Sequence, residues 1–233
     1  MPYAPAVAVF RTPRGNPATM HYRTDSSDWN TLYSALTEDE YGLRSRHLTG
    51  RALDIGAHIG GVAIGLAIDN PDLIVVAVEP VPDNARLLRL NVAANGLTDR
   101  VTVIEGAAGH GAVTVWYGYR GSETAEHHAF IGNSSLAYDH GGANEHESVT
   151  YDGWALADLA DSDVALLKID NEGGEFDFLT DPAIARCAVI VGEWHNVRGH
   201  VQGDIATLLG ATHDVTFSGP VGGPGGFLAV RRG

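Results

Sequence analysis

The chain has 233 residues, 44% of them hydrophobic, and its 29 acidic against 15 basic side chains give a net charge of −14. That length supports one substantial core, the hydrophobic share excludes a disordered chain, and the acidic surplus opposes docking on a phosphate backbone, which needs a basic face. No apolar run has the length of a bilayer span or the flanks of a secretory signal, so a cytoplasmic protein acting on a small molecule is expected, without nucleic-acid or membrane partners.

From the N-terminus, Ala6 to Phe10 and Ala18 to Tyr22 flank the turn-rich Thr12-Pro13-Arg14-Gly15-Asn16-Pro17 and predict a hairpin. A helix follows, capped by Ser27, with Asp28 at its positive end and Trp29, Leu32, Tyr33 and Leu36 spaced to cover one face. Residues 1–50 are expected to form this hairpin and a lid over the site, and residues 51–233 the main domain. Within the latter, Arg51 to Asp54 is a strand, the run from Gly60 a helix, and Leu73 to Val78 a fully buried parallel strand. Residues 83–95 read as a helix ended by Gly96, and Val101 to Ile104 as the next strand. Ala112 to Tyr117 adds a short antiparallel strand, and residues 118–148 lose all periodicity, as a long substrate-facing loop would. A helix at 154–159, strands at 164–169 and 187–192 and a helix near 205–209 complete the alternation. Cys187, the one cysteine, reads as a buried strand thiol without a catalytic role. The chain closes with His213 to Phe217 and Phe227 to Val230 as an antiparallel hairpin. The expected fold is α/β, a doubly wound, mostly parallel, seven-stranded Rossmann-like sheet with that terminal hairpin and a small N-terminal extension.

The segment from Asp54 to Gly61, Asp-Ile-Gly-Ala-His-Ile-Gly-Gly, carries the most information. A carboxylate ends an apolar strand, close-set glycines follow, and Glu79 with Pro80 closes the next strand, where a carboxylate accepts ribose hydroxyls. The dinucleotide fingerprint requires glycine where His58 stands, so the motif favours S-adenosylmethionine, a cation without phosphate, over NAD. Asp54, Gly56, Ala57, His58, Gly60, Glu79 and Pro80 are the expected donor-binding residues.

Together with Asn91-Val-Ala-Ala-Asn-Gly-Leu97, Lys168-Ile-Asp-Asn-Glu-Gly173 and Glu193-Trp-His195, these segments resemble the FkbM family of S-adenosylmethionine-dependent methyltransferases, from about residue 28 to the end. The resemblance implies a class I methyltransferase fold and O-methylation of a natural-product glycoside or polyketide in secondary metabolism, with S-adenosylhomocysteine as product, and it puts Glu105, otherwise a solvent-facing strand-end acid, where the adenine amino group would donate to it. The chain departs from the family pattern in having Asn171 and Gly174 where valine and alanine are usual, so an unusual substrate is expected.

Topology should bring the ends of the first, fourth and fifth main-sheet strands together at the crevice. His195 is the expected general base, as an imidazole unprotonated at working pH, oriented by Glu193 or Asp170. Asp170 is also placed to hold the donor's ammonium, leaving Glu172 to face substrate, and Lys168 either pairs with these acids or snorkels. Asn133, Ser134 and Trp194 are the expected substrate contacts. A divalent ion on Asp170, Glu172, Glu193 and His195 is the metal alternative, although charge complementarity to a sulfonium already accounts for these acids. The loop histidines, His127, His128, His140 and His146, lack zinc-site spacing. Two other classes stand beside methyl transfer: a non-catalytic nucleoside-binding protein and an NAD-dependent dehydrogenase.

Overall fold

A computed structural model describes residues 5–118, 146–195, 199–219 and 225–233. Strands β1 (Ala6–Arg11) and β2 (Pro17–Tyr22) form the expected N-terminal hairpin, followed by helix α1 (Asp28–Tyr33) and a π-helical turn, Ser34–Glu38. The alternation then runs β3 (Gly50–Ile55), α2 (Gly61–Asp69), β4 (Leu73–Glu79), α3 (Pro82–Ala94) and β5 (Val101–Glu105). After β6 (Ala112–Gly118) and β7 (His146–Asp152) come α4 (Leu156–Leu159), β8 (Leu166–Ile169), α5 (Glu175–Phe178), β9 (Val189–Trp194), α6 (Gln202–Leu209), β10 (His213–Phe217) and β11 (Gly225–Arg231).

Seven strands make one sheet in the order β10, β11, β9, β8, β3, β4, β5, parallel except for β11, which runs antiparallel to both of its neighbours. The order reverses between β3 and β8, so their carboxyl ends open the crevice in which an α/β sheet binds ligands. The apolar runs of β3 and β8 are buried throughout because the sheet is covered on both faces. One core cluster joins α2, α3, the N-terminal hairpin and α1, with Leu32, Leu36, Met20, Ile64 and Leu88 fully buried. The other joins α4 to α6 beneath Phe178, Trp194, Ile190 and Leu167.

Four expectations change. Trp29 and Tyr33 are half exposed, Trp29 lying against the rings of Phe10 and Tyr22, so the buried stripe of this segment is Leu32, Ala35 and Leu36. Ser27 stands at the N-cap but makes no side-chain cap hydrogen bond, while Asp28 in the first turn, as expected, is buried in an ion pair with Arg23 at 2.7 Å. The predicted loop at 118–148 is shorter, because β7 starts at His146 and pairs with β6 in a separate two-stranded sheet. The predicted helix at 154–159 is reduced to α4, Trp154 instead bridging to Ala108.

The hairpin docks on α3 through an unusual pairing. Asn95 accepts from Thr19 N at 2.9 Å and donates to Thr19 O at 2.7 Å, while one helical turn earlier Asn91 does the same for His21 at 2.6 and 3.0 Å. Two side-chain amides thus satisfy the outer edge of β2 as a third strand would, covering an otherwise open edge. No helix among the described residues is long and apolar enough to cross a membrane.

Candidate active site

A cavity of about 160 Å³ opens at the ends of β3, β4 and β8. Gly56, His58, Glu79 and Pro80 wall one side, Gly106, Ala107 and Ala108 the next, and Asp170, Asn171 and Glu172 the far side, while Ser27 and Thr31 of the N-terminal segment also line it.

The glycines of the loop act differently from the expectation that they clear room for a ligand. Gly56 has φ +74°, and a Cβ there would stand 1.8 Å from the carbonyl oxygen of Asp170, so it lets β3 and β8 end against each other. At Gly60 a Cβ would meet Leu88 at 2.4 Å, so this glycine, like Ala57, serves packing beneath the cavity. Asp54 also lies below the wall, fully buried, with Lys168 Nζ 3.4 Å from its carboxylate. That ammonium donates to the carbonyls of Gly56 at 2.8 Å and Ile55 at 3.3 Å and stands 3.7 Å from Asp170, so Lys168 pairs rather than snorkels. Burial disfavours its charge, but the carboxylates of Asp54 and Asp170 outweigh burial and hold its pKa above that of ordinary lysine.

Glu79 is buried and accepts from His58 N at 2.8 Å, Val81 N at 3.0 Å and Asn84 Nδ2 at 3.1 Å. Burial pushes its carboxyl up to about 7 against the pull of these donors. His58, with φ +49°, is drawn down to about 4 by burial despite Asp28 nearby, and is therefore a neutral imidazole. Glu105 departs from expectation. It pairs with Arg89 at 2.9 Å on the surface and is absent from the wall, where Gly106 stands instead.

On the far side, Tyr41 donates to Asp170 Oδ2 at 3.4 Å, bringing the N-terminal segment onto the strand ends. Glu175, which the sequence reading did not single out, holds the site together. Fully buried at the start of α5, it accepts from Asn171 N at 3.2 Å and from Gly173 N at 3.0 and 3.1 Å, and stands 2.9 Å from His195 Nδ1. Its sequence signal was weak, an acid after two glycines that reads as an ordinary first-turn residue.

The other face of His195, Nε2, lies 3.3 Å from Glu172 Oε2. Burial lowers the imidazole, but Glu175 and then Glu172 and Asp170 reverse this and raise it to about 9. The expectation of an unprotonated base is thereby corrected: His195 is an imidazolium clamped between two acids. Glu172, with φ +54°, is pushed up to about 8 by burial and by the carboxylate of Asp170, and it is the member of the pair that lines the cavity. Trp194 is corrected as well, since its ring is 1% exposed within the α4 to α6 core and not turned to substrate. Burial raises Glu193, which lies outside the wall. Ligand atoms of Asp170, Glu175 and His195 come within 4.8 Å of one another, so the possible metal set replaces Glu193 and Glu172 with Glu175. Asn133, Ser134 and the histidines at 127, 128 and 140 lie outside the described residues.

Residues 54–217 match the Methyltransferase FkbM domain. The chain is 42% identical over 57 residues to the O-methyltransferase imqG of Aspergillus flavus, a match spanning 24% of this chain and 23% of that protein. An equal identity over 57 residues joins it to the ribosomal RNA small subunit methyltransferase G of Frankia alni, spanning 24% of this chain and 22% of that one. The match thus spans about a quarter of each curated relative. Among solved structures, the fold is similar to that of the Thermus thermophilus 16S rRNA N2 G1207 methyltransferase RsmC in complex with AdoMet and guanosine, with a TM-score of 0.52 and 14% identity, covering 99% of this chain and 52% of that one. The mostly parallel seven-stranded sheet agrees with this likeness of fold, and the chain belongs to the FkbM methyltransferase family, its domain being that of an S-adenosylmethionine-dependent methyltransferase.

Proposed function

We propose that the protein transfers the methyl group of S-adenosylmethionine to a hydroxyl of a small polar molecule, such as a glycoside or polyketide. The observation that carries this reading is the cavity itself, walled by a buried carboxylate at the end of β4 and, after β8, by an acid that stands 3.3 Å from the imidazolium following β9. Glu79 accepts from the ribose hydroxyls, Gly106 and Ala107 flank the adenine, and Asp170 faces the donor's ammonium. In the transfer step the acceptor oxygen attacks the methyl carbon, the carbon–sulfur bond breaks with its electron pair going to sulfur, and the hydroxyl proton passes to Glu172. A carboxyl near 8 is better matched to that proton transfer than an imidazole held protonated, so Glu172 takes the role of base and His195 that of its charged partner. Asn171, beside Glu172 in the wall, adds a hydrogen-bonding group toward the acceptor where the family has valine.

An RNA acceptor is the second reading, favoured by the names of the Frankia and Thermus proteins. The net charge of −14 weighs against it, since phosphate binding requires a basic face. The test is calorimetric titration with S-adenosylmethionine, S-adenosylhomocysteine and NAD, followed by labelled methyl transfer to hydroxylated glycosides and polyketides and to ribosomal RNA. Donor binding with transfer to a small molecule is expected. Binding of NAD alone, or transfer to RNA alone, overturns the proposal.

A further inference from the structure

Arg23 stands outside the cavity wall, in the segment between β2 and α1, yet two routes lead from it to the same wall residue, one hydrogen-bonded throughout and one passing through a polar contact of Asp28 with His58. Its guanidinium, 5% exposed, donates from Nε to Asp28 Oδ2 at 2.9 Å and from Nη2 to Asp28 Oδ1 at 2.7 Å. The same Nη2 reaches Asn84 Oδ1 at 2.7 Å. A guanidinium only donates, so the Asn84 amide has one workable orientation beside it. Its oxygen faces Arg23, and its Nδ2 donates to Glu79 Oε1 at 3.1 Å. Along the second route Asp28 Oδ1 lies 3.4 Å from His58 Nε2, and the backbone N of His58 donates to Glu79 Oε2 at 2.8 Å. The routes meet on opposite oxygens of one buried carboxylate and close a ring through Arg23, Asp28, His58, Glu79 and Asn84.

A carboxylate offers about four lone-pair sites. At Glu79, the donors from His58, Val81 and Asn84 occupy three, leaving one direction free. We propose that Arg23 is a positioning residue for the methyl donor: by fixing the Asn84 amide it sets the rotation of Glu79, so that the remaining lone pair faces the ribose hydroxyls. The proposal rests on the donor reading above. Lysine cannot replace it, because a point charge lacks the planar fork that reaches Asp28 and Asn84 together. The placement of the N-terminal segment is thereby passed to the donor pocket without that residue touching the ligand.

The experiment is calorimetry with S-adenosylhomocysteine and its 2′,3′-dideoxy analogue on the full chain, comparing the native protein with Arg23→Lys. Arg23→Lys keeps a cation beside Asp28, and the double variant Arg23→Met with Asp28→Asn removes both charges of the buried pair, so at least one route avoids leaving an unpaired charge. Misaligning a hydrogen bond to a charged group is expected to weaken S-adenosylhomocysteine about tenfold in either variant while leaving the dideoxy analogue within about twofold. An equal loss for both ligands assigns Arg23 a merely structural role and overturns the proposal, as does no loss for either. If the native protein binds neither ligand, the donor reading fails instead, which separates the two failures.

Discussion

Replacing Glu175 with glutamine keeps the shape of the side chain and removes the charge that holds His195 protonated. The rise of His195 from 6.5 to about 9 is equivalent to about 3 kcal/mol of preference for the imidazolium, and after opposing burial the Glu175 carboxylate is its largest cause. Because this folded value lies above the unfolded one, the stabilisation is complete below about pH 6.5 and is lost as pH rises through about 9. Glu175→Gln should therefore bring the His195 midpoint back to or below the ordinary histidine range, since burial then meets only Glu172 and Asp170. Near pH 6 it should lower the melting temperature by about 6–12 °C, from about 3 kcal/mol in a domain of this size. Near pH 10 most of that difference should vanish, leaving the smaller cost of turning an amide toward the N–H groups of Asn171 and Gly173. The assay is a proton NMR titration of the His195 ring paired with thermal melts across this range. A His195 midpoint that stays near 9 in the variant refutes the assignment of its charge to Glu175.

The other predictions concern the same walls. Glu172→Gln should lower kcat by about 10²-fold or more with donor affinity nearly unchanged, and the native rate should rise with pH through about 8; an unaltered kcat removes Glu172 from the role of base. Gly56→Ala should cost more than about 3 kcal/mol, because a Cβ there would meet backbone at 1.8 Å. Gly96→Ala, at a similar φ of +66° but with nothing within 4 Å, should cost only about 1 kcal/mol, and denaturant melts that rank the two alike would contradict the close-approach argument. Glu105→Gln should leave S-adenosylhomocysteine affinity within about twofold, since its partner is the exposed Arg89; a large loss by calorimetry would restore it to the adenine subsite.

The sheet and the turn that opens the crevice were legible because their signals are local. Apolar runs end in Asp54 and Glu79, a glycine turn follows the first, and a terminal hairpin stands where another crossover would be. The placement of side chains around the cavity was read less well, for reasons of geometry. At a strand end, adjacent side chains point to opposite faces, so one step of parity turned Trp194 into the core and left His195 at the site. Glu105 failed in the same way, exposed at the end of β5 while Gly106 lines the wall. Charge state was the deeper obstacle. The sequence shows a histidine near acids, but only the fold shows that Glu175 is buried against it, which changes the imidazole from a base into a cation. Arg23 and Asp28 gave no warning either, because residues five apart in a turn-rich stretch carry no periodic signal of a buried pair.

The seat of the N-terminal hairpin on α3 has a metric consequence. Two residues along a strand advance about 6.8 Å and four along a helix about 6.0 Å, so these rulers of different pitch agree over one interval and drift apart beyond it. Asn91 and Asn95 mark that interval against His21 and Thr19. The hairpin can therefore be read against the helix at a single graduation, as on a vernier. Lengthening the turn at Gly15 should leave that reading intact, whereas shifting either asparagine by one position should carry the whole hairpin, and Arg23 immediately after it, off the mark.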